Sequence, residues 1–135
     1  MTYFEVPGRP QGKARPRFSR GHTYTPRPTL DYEEKIARYY KLNGGKMYPE
    51  GQPLTIKMLI KFPIPSGTPK LKAQQMLQGH IRPTKRPDGD NVEKAVLDAL
   101  NGVAYKDDSQ VVGVSWEKKY TERGSEGLYI AIHEG

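Results

Sequence analysis

The chain has 135 residues, enough for one domain with a modest core, and its 22 Lys and Arg outnumber 15 Asp and Glu to leave a formal charge of +7. That balance suits a polyanionic partner without saying which one, and the lack of cysteine excludes a disulfide frame, a thiolate zinc site and a cysteine nucleophile. With no long apolar run and no leader-like N-terminus, the expectation is a cytoplasmic protein with no membrane contact.

Tyr3 to Val6 alternates as a first strand would, and Pro7-Gly8 turns it. The following segment carries Arg9, Lys13, Arg15, Arg17, Arg20 and Arg27 with Phe18 and Tyr24 between them, and it is too rich in Pro and Gly for regular structure. It reads as a DNA-binding arm, with arginine forks for phosphates and aromatic rings for bases. The plainer reading is a solvated basic loop.

Thr29 or Asp31 can cap a helix that runs to about Leu42 and stops at Gly44-Gly45, its Tyr32, Ile36 and Tyr39 forming a core stripe. Gly44-Gly45-Lys46 lacks the Ser/Thr and the preceding strand of a P-loop, so no nucleotide cofactor is expected. Leu54 to Phe62 is the clearest strand, with alternate residues apolar. Between Ser66 and Gly79 a short helix, Lys70 to Leu77, offers Leu71 and Met76 for packing. Arg82, Lys85 and Arg86 then arrive just ahead of an acidic motif, where positive charge can hold a DNA strand or reduce repulsion among carboxylates.

In that motif Asp88 and Asp90 precede a helical segment with Lys94 and Asp98, and Asp107 and Asp108 follow it. Acids so gathered resist joint ionisation unless a cation offsets them, and an oxygen-only donor set favours Mg²⁺, with Mn²⁺ a possible substitute. Asp90 is the expected N-cap of a helix from about Asn91 to Leu100, whose Val92, Ala95, Val96, Ala99, Leu100 and Val103 make one buried face. Asp90, Lys94 and Asp98 step by four along another side, so the lysine lies one turn from each carboxylate. A helix that opens at one acidic pair and a strand that opens at the other can bring both to one point. Val111 to Tyr120 and Leu128 to His133 then read as a hairpin across the polar turn Thr121 to Gly127, with Trp116 as a core or interface anchor. His22, His80 and His133 follow no metal-ligand spacing.

The string RPDGDNVEKAVLDALNGVAYKDDSQVV resembles the signature of the RusA family of Holliday-junction resolvases, small metal-dependent endonucleases often carried by phages and prophages. The resemblance implies that Asp88, Asp90, Lys94 and Asp108 form the catalytic site, that Asp88, Asp90 and Asp108 bind the metal, and that the active form is a homodimer acting on four-way junction DNA. It implies paired symmetric nicks, in DNA recombination and repair. The Ser66 to His80 segment is longer than the matching connection in the shortest members, so no contact is carried over there. The expected fold, with residues 1–135 as one small domain, is α+β: a mixed, mostly antiparallel sheet packed by two main helices. Arg9, Lys13, Arg15, Arg17, Arg20, Lys85 and Arg86 are the expected DNA-binding residues.

Two alternatives stay open. One is a non-catalytic DNA-binding protein with structural carboxylates, in which Lys94 only bridges Asp90 and Asp98; the other is a nuclease acting on other branched DNA. An EF-hand loop is the weaker rival, because Val92 and Glu93 occupy positions that need an oxygen ligand and a turn glycine.

Overall fold

The computed structural model describes residues 1–135. At its centre is β4 (Leu54–Pro63), whose alternating Leu54, Ile56, Met58, Ile60 and Phe62 are all buried on one face. Antiparallel β6 (Gly127–Glu134) flanks it on one side and parallel β5 (Val111–Thr121) on the other, while β1 (Thr2–Pro7) pairs antiparallel with β6. The order β1-β6-β4-β5 is therefore the mixed, mostly antiparallel sheet expected.

The expected hairpin of β5 and β6 does not form. Both strands exist, but β4 lies between them: Pro63 pairs with Thr121 on one side and Lys61 with Gly127 on the other. No residue of β5 is fully buried, whereas β6 buries Leu128, Ile130 and Ile132. Burial on both flanks favours the more apolar strand inside the sheet, and the more polar β5 takes the edge.

Two helices cover the inward face of the sheet. Helix α1 (Arg27–Leu42) buries Tyr32, Ile36 and Tyr40, with Tyr40 edge-on to Phe4 at 5.2 Å between ring centroids, while Tyr39, expected in the core stripe, is only half-buried at its margin. It begins before the expected caps Thr29 and Asp31, with Pro26 at the N-cap position and Pro28 in the first turn, where a residue without an N–H leaves no donor orphaned. Thr29 is instead buried inside the helix and its hydroxyl accepts the Ala14 N–H at 3.2 Å. Helix α3 (Gly89–Leu100) buries Val92, Ala95, Val96, Ala99 and Leu100, the face its periodicity predicts. The short α2 (Lys70–Leu77) seats Met76, but Leu71 is exposed and does not pack as expected.

The arm is not wholly irregular. Arg17–Ser19 (β2) and His22–Tyr24 (β3) pair as a small antiparallel hairpin. Its turn places Arg20 at φ 51° and Gly21 at φ 79°. Two left-handed residues in succession give the turn a twist that matches paired strands, a geometry that the Pro and Gly content of the arm had masked.

Candidate active site

The chain enters α3 through Asp88, which holds the N-cap position with extended backbone and makes no side-chain capping bond. This corrects the expectation for Asp90, which is the second residue of the helix, in its first turn. Both carboxylates are exposed at the positive end of the helix dipole.

The arm is pressed against this turn. The Lys13 N–H bonds the Asn91 carbonyl at 2.9 Å, and Gly12 passes so close that a Cβ there would meet Asn91 Cβ at 3.0 Å and Pro87 Cβ at 3.1 Å. The result is a cavity of about 790 Å³ bounded by arm residues Arg9 to Arg15 and by Arg86, Pro87, Asp88 and Asn91. A second hollow of about 380 Å³ shares Arg9 and Arg86 with it and adds Lys85 and Arg123. Both hollows are lined by basic side chains, and the larger has Asp88 in its wall, a charge suited to a phosphate backbone. Arg123 escaped the sequence reading because it lies in a turn far from the motif; only the fold brings it alongside Arg86.

Of the residues expected to bind DNA, Arg9, Arg15 and Arg86 line the larger cavity and Lys85 the smaller, while Arg17 and Arg20 lie on the β2–β3 hairpin. Lys13 lines the cavity too, but its ammonium is bonded to Glu33 of α1 at 3.1 Å and to Asp98 of α3. Partial burial works to lower the Lys13 pKa, yet the bonds to Asp98 and Glu33 hold it above the ordinary lysine value. The arm is therefore pinned to both helices by one charge.

The second acidic pair opens a single 3-10 turn, Asp108–Gln110, that leads into β5. Gln110 is the buried anchor of this turn: its side-chain Oε1 accepts the N–H groups of Lys106 at 3.1 Å and Asp107 at 3.3 Å, and its Nε2 donates to the carbonyls of Pro49 at 3.0 Å and Gln52 at 3.2 Å. Gln110→Leu strands those partners in a nearly dry site, so a loss of at least about 2 kcal/mol is expected by urea unfolding. A variant as stable as wild type would show that water replaces the amide.

Charge is concentrated here. Asp107, as hydrogen-bond partner and like charge, together with some desolvation and the charge of Asp98, holds Asp108 above the usual carboxylate range. Asp107 is held below it, chiefly by the Ser109 N–H. Tyr105 lies beneath, its hydroxyl donating to the Leu97 carbonyl at 2.6 Å; burial pushes its phenol up, and Asp108 and Asp98 add to that.

The α3 carboxylate that Asp108 feels is thus Asp98, which at 1.5 Å per residue lies about 12 Å along the axis from Asp90. No three acidic or histidine side chains come close enough together to enclose a metal ion, so the expected gathering of Asp88, Asp90 and Asp108 is not seen in this arrangement of side chains. In donor chemistry they do fit a hard divalent ion, being all carboxylate, exposed, and in the case of Asp108 under like-charge repulsion that a cation relieves. Lys94 is exposed between Asp90 and Asp98 and forms no ion pair with either, since Asp98 is taken by Lys13.

Residues 7–133 match the family described as endodeoxyribonuclease RusA. The chain is also 34% identical over 125 residues to the uncharacterized protein YqaN of Bacillus subtilis (strain 168), an overlap of 88% of this chain and 87% of that one. No helix is long and apolar enough to cross a membrane. Because the family match runs from the end of β1 through the arm, both helices and the acidic motif almost to the end of β6, the chain belongs to the RusA endodeoxyribonuclease family.

Proposed function

We propose that the protein is a metal-dependent, structure-selective endodeoxyribonuclease that resolves Holliday junctions by paired symmetric nicks, acting as a homodimer in DNA recombination and repair. The observation that carries this is the basic cavity with Asp88 in its wall: Arg9, Arg15 and Arg86 line it together with an acidic helix start that would repel a phosphate unless it served another purpose.

In this reading Asp88, Asp90 and Asp108 hold Mg²⁺, or Mn²⁺ in its place. The bound ion supplies activation of water and neutralisation of charge on the phosphate. Arg9, Arg15, Lys85 and Arg86 grip the backbone on either side of the scissile bond, and the arginine forks fix its direction. Lys94, unpaired and one turn from Asp90, contributes a fixed positive charge to the pentavalent phosphate as the 3′ oxygen departs. A two-fold dimer offers two equivalent sites to a junction that can adopt the same symmetry.

The test is incubation of labelled four-way junctions and matched duplexes with and without Mg²⁺. Paired nicks in the junction, dependent on Mg²⁺ and much slower in duplex, are expected. A dimer carries 2 × (+7) = +14, so junction affinity should fall steeply between low and physiological salt. Equal cutting of duplex and junction by a monomer would defeat junction selectivity and leave a general nuclease. The second reading, a DNA-binding protein with structural carboxylates, is favoured by the Asp98–Lys13 pair and by the lack of any three acidic or histidine side chains grouped to hold a metal ion; metal-dependent cutting of any DNA excludes it.

A further inference from the structure

Between Asp88 and Asp90 lies Gly89, and it is buried although both of its neighbours are exposed. What covers it is the indole of Trp116 from the edge strand β5. A Cβ built on Gly89 would fall 2.2 Å from Cη2, 2.3 Å from Cζ3 and 2.4 Å from Cζ2 of that ring, so the α-carbon rests on the six-membered face and only glycine fits. Trp116 pairs in register with Met58, whose side chain faces the helices. An edge-strand tryptophan thus reaches under the first turn of α3. Two residues on, Lys118 donates to the Lys85 carbonyl at 2.7 Å, so β5 holds the segment leading into the motif at two points.

We infer that Trp116 is a positioning residue for the acidic site: its ring, seated on Gly89, sets the height and direction at which Asp88 and Asp90 leave the start of α3. The inference rests on the proposed metal-dependent nuclease. The physical basis is that a rigid planar ring against a bare α-carbon leaves the backbone no slack, whereas the carboxylates on either side have no capping bond or ion pair to fix them. A ring that merely filled the core would be surrounded, but Trp116 is 37% exposed and still covers Gly89.

Reciprocal substitution with Mn²⁺ titration tests this. Four proteins are compared by calorimetric Mn²⁺ affinity, thermal midpoint and the Mg²⁺ concentration for half-maximal junction cutting: wild type, Gly89→Ala, Trp116→Leu and the double variant. Gly89→Ala is expected to weaken Mn²⁺ binding and raise the Mg²⁺ requirement about 10-fold, the lower end of what losing an outer support costs a metal site. The double variant, in which a smaller side chain makes room for the new methyl, should recover most of that loss. If Gly89→Ala does not fold, Trp116→Phe and Trp116→Leu measured below their melting ranges decide the matter through Mn²⁺ affinity alone. Unchanged affinity in the folded single variants, or a double variant no better than Gly89→Ala, overturns the inference. A wild type that binds Mn²⁺ yet cuts no DNA would sink the nuclease reading, with the positioning role still judged on the affinities; a wild type that binds no Mn²⁺ overturns the positioning role.

Discussion

Asp90→Asn is expected to reduce Mg²⁺-dependent cutting of a four-way junction by about 10³-fold or more while junction affinity stays at or above the wild-type level. Asparagine keeps the shape of the side chain and removes its charge, so a metal loses a ligand and the phosphate loses a repulsive neighbour. The fold has little to lose: Asp90 is exposed, makes no hydrogen bond or salt bridge, and contributes to α3 only through the helix dipole, worth about 0.3 to 1 kcal/mol. Gel-shift binding in EDTA and single-turnover cutting in Mg²⁺ separate the two effects, and Asp88→Asn should behave alike. Full activity in both variants would remove them from the chemistry. Loss of binding together with cutting would show that the acids hold the arm in place rather than a metal.

The second large effect is expected at Lys94. Lys94→Ala should slow junction cutting about 10²-fold, in the range set by removing one preorganised charge from a transition state, with binding little changed. The structure sharpens this contrast because the competing role is not filled: a lysine that merely joined Asp90 to Asp98 along the helix would be worth about 0.2 to 0.5 kcal/mol, and Asp98 is bonded to Lys13 instead. Alanine at an exposed helical site is also no burden to α3. Single-turnover rates at saturating DNA and Mg²⁺ report the chemical step. A rate within threefold of wild type, about 0.7 kcal/mol, would assign Lys94 to solvent.

The basic arm shows why some site residues could be named but not placed. Arg9, Arg15 and Lys13 are equivalent in sequence, each a cation among Pro and Gly. In the fold the first two face the cavity with Asp88, while Lys13 turns its ammonium to Glu33 and Asp98. Charge alone makes a residue a candidate for phosphate, but whether it is free depends on acids 20 and 85 residues away.

Periodicity and composition alone determined the extents of β4, α2 and most of α3, the buried face of α3 and two of the three residues expected in that of α1, the basic character and the acidic motif, because each depends on neighbours within one or two turns of chain. Only the tertiary structure decided that β4 separates β5 from β6, that Asp88 rather than Asp90 holds the cap position of α3, and that Gln110 anchors the second acidic pair. It also decided that Trp116 lies beneath Gly89 and that the charge of Asp98 reaches Asp108. Strand order and side-chain partners are set by which surfaces bury most area when the whole chain closes, and that competition among distant segments leaves no local trace.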